Sequence, residues 1–271
     1  MAPKIEDRQI TLRQFDIKNI GRHTIIVIIG RRGTGKSFLI QDILYHHRDI
    51  PIGLVMSHTD HLQHFYDRFI PNMLIHKGYN SEQLQKLFDR QEKALEEKWI
   101  EPTAFLLLDD VLSDKTWKKD PRFQEVFFNG RHSKLLAILG IQSPMGIGPD
   151  LRDQIDYTFI FKSTNQANRK KLYENYAGAF KTFEEFNIVL DATTEDYNCL
   201  VVDNRTQSNK IEDQIFYYKA KMHDNFRICT SDIWEINDKR NFKQQANKYK
   251  QNYVKTEVMT KKGKVTINRK K

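Results

Sequence analysis

An α/β fold built around a mainly parallel sheet is what the sequence predicts, on three grounds. Through the first 190 residues, short apolar runs rich in β-branched side chains alternate with stretches of helical period, the signature of successive βαβ units. These runs are nearly continuous in apolar residues, as strands covered on both faces should be. Beyond residue 190, two more strand-like runs flank a polar stretch and add a C-terminal β-hairpin at a sheet edge.

In chain order the five central strands are 24–29, 52–57, 104–109, 135–141 and 157–162. A helix over 35–48 follows the first strand, and a second runs from Ser81, as N-cap, to about Trp99. The dipeptide Asp120-Pro121 opens a third, with Asp able to cap and Pro suited to the first helical position. Two more helices cover 166–180 and 181–192, and the hairpin strands are 198–203 and 214–219. From residue 231 the pattern decays into Lys, Asn and Gln. The expected organisation is therefore a domain over 1–230 and a basic tail over 231–271, flexible or only locally helical.

Composition removes several classes. A hydrophobic fraction of 39% with 17 Phe and 11 Tyr is too rich for disorder. The longest apolar runs, 24–29 and 135–141, fall short of the roughly 20 residues of a membrane-spanning helix. Residues 1–8 mix acids with bases and lack the apolar core of a secretory leader. Cys199 and Cys229 are too few for a disulfide framework and too far apart for a compact metal motif, which fits a reducing compartment. Net charge is +9, and residues 232–271 hold 12 Lys and Arg against 4 Asp and Glu. Such a tail either neutralises phosphates of a polyanion or is a solvated end.

The run Gly30-Arg31-Arg32-Gly33-Thr34-Gly35-Lys36-Ser37 matches G-x-x-x-x-G-K-[ST] between an apolar strand and a helix. Glycines let the backbone turn its N–H groups toward phosphate, and the helix N-terminus adds positive dipole. Lys36 can reach the β and γ oxygens of ATP and Ser37 can ligate Mg²⁺; Phe38 completes the expected binding residues. Downstream, the strand 104–109 ends in Asp109-Asp110. Asp109 would hold the metal or its water, and Asp110 would orient or deprotonate the water attacking the γ-phosphate. An extra strand, 52–57, lies between loop and acids; with the acid pair it marks the additional-strand ATPases, whose sheet order is 5-1-4-3-2.

The fourth strand ends at Gln142, which a parallel sheet brings out beside Lys36 and Asp109, where an amide can sense the γ-phosphate. Phosphoryl transfer of this type often needs an arginine. Arg31 and Arg32 sit in the loop's variable positions and point to a neighbour or solvent. Arg131 precedes the fourth strand, opposite the nucleotide edge, so only a neighbouring subunit could use it; Arg152 follows that strand and could act in cis or at an interface. A small-molecule kinase and a nucleotide-binding assembly factor are the alternatives. No arginine-rich lid is evident between Gln142 and Tyr157, and an assembly factor needs no catalytic acid.

With these residues the chain resembles the genome-packaging ATPases of large nucleocytoplasmic DNA viruses, the poxvirus-type branch of the FtsK/HerA superfamily. The loop, Asp109-Asp110, Phe127-Phe128-Asn129-Gly130-Arg131-His132, the strand ending in Gln142, Leu151-Arg152, the run Tyr157-Thr158-Phe159-Ile160-Phe161 and the hairpin carry the similarity. The superfamily at large often has Asp-Glu where this chain has Asp-Asp. The resemblance implies a homo-oligomeric ring, double-stranded viral DNA as cargo, a capsid or portal protein as possible partner, and a place in the virion or at its assembly site in the host cytoplasm. Under that reading the basic tail contacts DNA phosphates, while Phe242, Tyr249 and Tyr253 pack on the body.

Overall fold

A computed structural model describes residues 10–111, 117, 120–251, 253–260 and 263–270; the leader reading at 1–8 lies outside them. Two compact units divide the chain, 1–229 and 230–271.

The first unit runs β1 (Arg13–Gln14), β2 (Ile25–Ile29), α1 (Lys36–His46), β3 (Ile52–Ser57), α2 (Asp60–Gln63), β4 (Ile75–Lys77), α3 (Ser81–Glu96) and β5 (Ala104–Asp109). It continues through α4 (Pro121–Asn129), β6 (Leu135–Ile141), α5 (Pro149–Arg152), β7 (Tyr157–Ile160), α6 (Gln166–Tyr176), α7 (Phe183–Thr193), β8 (Asn198–Asp203), α8 (Ile211–Gln214) and β9 (Ile215–Lys219). Among the described residues one nine-stranded sheet has the order β1-β9-β8-β7-β2-β6-β5-β3-β4. Within it, β7-β2-β6-β5-β3 places the five anticipated strands in the order 5-1-4-3-2.

Strand residues alternate between two cores. Ile25, Val27 and Ile29 join Leu106, Leu108 and Leu139 against Phe123, Phe127, Leu172 and Phe186 of α4, α6 and α7. Ile26 and Ile28 face the other way with Leu39, Ile40, Ile43 and Leu44 of α1. Burial on both faces explains why these strands read as continuous apolar runs. Each large aliphatic side chain buried this way contributes about 1.5–3 kcal/mol.

Several boundaries differ from the sequence reading. Helix α1 ends at His46, two residues early, and α6 stops at Tyr176 instead of 180. The N-cap of α3 is Asn80, whose side chain accepts from the Gln83 N–H at 3.1 Å, not Ser81. Asp120 caps α4 as expected, accepting from the Arg122 N–H at 2.9 Å. Two edge strands escaped prediction: β1 has two residues, both exposed, and β4 has three with no buried member, too short for a period to register. The hairpin β8–β9 joins the sheet antiparallel to β7. Cys199 and Cys229 are free thiols.

The second unit, 230–271, carries regular elements. Helix α9 spans Ser231–Gln251, and β10 (Tyr253–Thr260) pairs antiparallel with β11 (Gly263–Lys270), Thr260 opposite Gly263. High lysine content masked the Val and Thr spacing of these strands. Phe242 of α9 is 74% exposed, and the rings of Tyr249 and Tyr253 lie outside the described side chains. No helix of the described residues is long and apolar enough to cross a membrane.

Candidate functional site

Parallel strands deliver their carboxyl ends to one edge of the sheet, and there a cavity of about 990 Å³ opens. Strand β2 runs into the turn at residues 30–35, and α1 begins at Lys36. Gly33 and Gly35 take φ values of +79° and +107°, conformations that a side chain would strain, so the turn depends on glycine there. The Thr34 hydroxyl donates to the Arg31 carbonyl at 2.8 Å and pins the turn. Lys36 is 6% exposed; its Nζ donates to the Gly30 carbonyl at 2.8 Å and stands 3.8 Å from Asp110 Oδ1.

Strand β5 carries the acids in. Asp109 is buried; its Oδ2 accepts from the Tyr66 hydroxyl at 2.9 Å, while its Oδ1 meets no hydrogen-bond donor among the described residues. Burial first, and the neighbouring Asp110 second, push its carboxyl up to about 6. A Cβ on Gly140 of β6 would come 2.7 Å from that Oδ1, so only glycine leaves the oxygen room. Asp110 adopts φ +55°, a left-handed conformation tolerated by Asp at a strand exit, with its N–H on the Gly140 carbonyl at 3.0 Å. Gln142 Nε2 donates to Asp110 Oδ2 at 2.8 Å. Lys36, Asp109, Asp110 and Gln142 therefore meet at one place.

Tyr66 carried no motif in the sequence. It is 2% exposed, and besides Asp109 its oxygen meets the Ser37 side chain; burial and Asp109 hold its phenol far above the ordinary range. The turn after β3 places it: Ser57 Oγ accepts from the Thr59 and Asp60 N–H groups, and Asp60 Oδ1 accepts from the Phe65 and Tyr66 N–H groups at 3.0 and 2.8 Å. Only the position just beyond a strand's carboxyl end could have flagged it. Ser37 and Asp109, joined through Tyr66, are the residues able to hold Mg²⁺. The fit rests on the unmatched Asp109 Oδ1, a hard anionic oxygen with capacity to spare.

Away from the phosphate turn the lining becomes apolar and aromatic, with Phe38, Phe65, Tyr197, Ala220 and Met222. Phe38 meets Phe65 edge to face, centroids 5.6 Å apart. Because β8 runs antiparallel to β7, the start of β8 and the end of β9 open onto the same crevice and deliver Tyr197, Lys219, Ala220 and Met222. The lining can stack a planar base beside a triphosphate.

The arginines divide. Arg31 and Arg32 line the cavity, Arg31 also donating weakly to Thr164 Oγ1 at 3.4 Å. Arg131 lies at the amino ends of the strands, its Nη2 2.5 Å from Asp156 Oδ1. Arg152 donates to the Ile147 carbonyl at 3.1 Å and to Asn175, and lies over the Tyr176 ring. Neither Arg131 nor Arg152 lines the cavity.

Residues 9–134 match the NB-ARC domain, a stretch holding both loop and acid pair. The uncharacterized protein L437 of Acanthamoeba polyphaga mimivirus is 38% identical over 219 residues, 78% of this chain and 77% of L437. The uncharacterized protein 075L of Invertebrate iridescent virus 6 is 41% identical over 217 residues, 79% of this chain and 84% of 075L. Among solved structures, the genome packaging NTPase B204 from Sulfolobus turreted icosahedral virus 2, in complex with ATP-gammaS, superposes with a TM-score of 0.54 at 19% identity, covering 75% of this chain and 100% of B204. That likeness establishes the P-loop NTPase fold. With relatives at this identity over more than three quarters of its length, the chain belongs to one family with L437 of Acanthamoeba polyphaga mimivirus and 075L of Invertebrate iridescent virus 6, a family of large DNA viruses that carries a P-loop NTPase fold.

Proposed function

We propose that the protein is an ATP-driven motor that translocates double-stranded DNA, packaging a viral genome into its capsid as a homo-oligomeric ring at the virion or its assembly site. One observation carries the reading: Lys36, Asp109, Asp110 and Gln142 converge in the lining of a cavity sized for ATP, with an acid pair that pure nucleotide binding does not require. The genome packaging NTPase B204 shares the fold, and the basic residues over 232–271 suit a phosphate backbone gripped without sequence preference.

On ATP binding, Lys36 exchanges the Gly30 carbonyl for β and γ oxygens, and α1 directs its N-terminal dipole at the phosphates. Mg²⁺ held by Ser37 and Asp109 would neutralise charge on the β and γ oxygens. Tyr66 engages Asp109 Oδ2 and so leaves Oδ1 for the cation. Asp110 accepts the proton of the attacking water. Gln142, hydrogen-bonded to Asp110 and ending β6, orients that water and registers loss of the γ-phosphate through its own strand. Tyr197 stacks on the base. Arg131, more than half exposed and remote from its own cavity, is the arginine we assign to the site of the next subunit, where it leaves Asp156 for the transferring phosphate.

Hydrolysis measured with and without duplex DNA over a range of salt tests the motor. Stimulation by DNA that fades as salt rises is expected; turnover indifferent to DNA at low salt overturns it. For the finger, Arg131→Ala subunits mixed with Lys36→Ala subunits should recover more activity than either mutant mixed with an inert control. Equal recovery removes Arg131 from the neighbouring site.

A further inference from the structure

Outside the nucleotide cavity, α1 carries a second polar cluster. Asp42 and His46 stand one turn apart on its surface, and the segment after β9 brings up His223. A carboxylate oxygen and one nitrogen from each imidazole all lie within 4.8 Å of one another. Asp42 is fully buried, and the two histidine side chains are 19% and 15% exposed.

The contacts of Asp42 separate its two oxygens. Oδ2 accepts from the Tyr218 hydroxyl at 2.8 Å and from the Lys221 N–H at 2.7 Å. That arrangement turns Oδ1 to the imidazoles, with His223 Nε2 at 2.7 Å and His46 Nε2 at 3.5 Å. Tyr45 stacks flat on His223, ring centroids 3.6 Å apart and planes within 7°, which fixes the direction of its nitrogens. A simple hydrogen-bonded pair needs one histidine. The second one sits at the spacing of two donors sharing a cation: ligand distances of about 2.0–2.1 Å in a tetrahedron set donors about 3.3 Å apart.

We propose that Asp42, His46 and His223 bind one zinc ion, with a fourth position open to water. Two imidazole nitrogens and one carboxylate oxygen favour zinc over magnesium, which prefers oxygen alone. Tyr218 and the Lys221 N–H supply the outer contacts that orient a ligating carboxylate. The ion ties α1, whose N-terminus is the phosphate turn, to the segment contributing Ala220 and Met222 to the cavity. It is separate from the position where Ser37 and Asp109 would hold magnesium.

Full-length protein stripped with a chelator is titrated with zinc sulfate in the absence of nucleotide, reading bound metal by atomic emission and the unfolding temperature. One zinc per chain and a rise in Tm of at least about 4 °C at saturation are expected. His46→Gln and His223→Gln should each lose the bound zinc and the Tm shift, while Asp109→Asn keeps both. Should His223→Gln fail to fold, His46→Gln, which removes the longer contact to Asp42, decides the matter. Absence of stoichiometric uptake, uptake that survives His46→Gln, or uptake abolished by Asp109→Asn overturns the proposal.

Discussion

The two ends of the parallel sheet treat their buried charges in opposite ways. At the amino ends the buried polar side chains Asp156 and Gln91 are both answered. Asp156 receives the Ile25 N–H at 2.8 Å on one oxygen and Arg131 on the other, and buried Gln91 spends its amide on the Pro102 and Ser133 carbonyls. At the carboxyl ends Asp109 keeps an unmatched oxygen beside a second carboxylate, and Lys36 rests on carbonyls that a phosphate can replace. In the nucleotide-free subunit one end is closed by its own side chains; the other is completed by its substrate. Unspent polar capacity of this kind costs stability and is the physical mark of a working site.

The largest effect that would break this contrast is on turnover. Asp110→Asn should lower kcat by about 10²–10⁴ while ATP still binds, checked by phosphate release beside a nucleotide titration. Full turnover in that variant removes Asp110 as the base.

Next comes the amino end. Burial holds the Asp156 carboxyl above its ordinary range despite Arg131. Its ionised form therefore costs folding free energy at neutral pH, and the cost fades as pH falls through the folded value toward the unfolded one. Removing Arg131 raises that folded value further. Arg131→Ala should thus lose about 1–2 kcal/mol at pH 7, discounted because the guanidinium is half exposed, and less at pH 5. A pH-independent loss in denaturant melts would mean that Asp156 is not the partner that matters.

The carboxyl end predicts the reverse sign. Asp109 is raised to about 6, so above that pH its charge is a burden that disappears as pH falls from 6 toward 3.8. Asp109→Asn should raise the stability of the nucleotide-free protein at pH 7 by about 1 kcal/mol while abolishing hydrolysis. A destabilised variant would show that the carboxylate is structural. Smallest is the base seat: Tyr197→Ala should raise KM for ATP by about tenfold with kcat held, the size of one lost stacking contact. An unchanged KM places the base elsewhere.

Much of the site was legible because its parts are local. The turn at residues 30–37 and the acids after β5 are each a short run with its own geometry, and a parallel sheet obliges their strands to end on one edge. Gln142 followed from the same rule. Tyr66 did not, since an irregular turn held by Ser57 and Asp60 delivers it, and no periodicity describes such a segment. Nor could the sequence tell that Arg152 would be consumed by Ile147 and Asn175, or that the hairpin would open Tyr197 and Met222 onto the nucleotide.

Hydrophobic continuity and the phosphate motif were enough by themselves to determine an α/β nucleotide-binding fold, its five central strands and the residues at their carboxyl ends, because burial on two faces and a strand–turn–helix phosphate grip are written in consecutive residues. Tertiary structure alone decided which charges are answered and which are left open. It also decided the short edge strands, the hairpin's contribution to the cavity and the meeting of Asp42, His46 and His223. Those outcomes depend on residues far apart in the chain arriving within bonding distance, as His223 does 181 positions from Asp42. No local pattern encodes that distance; only packing sets it.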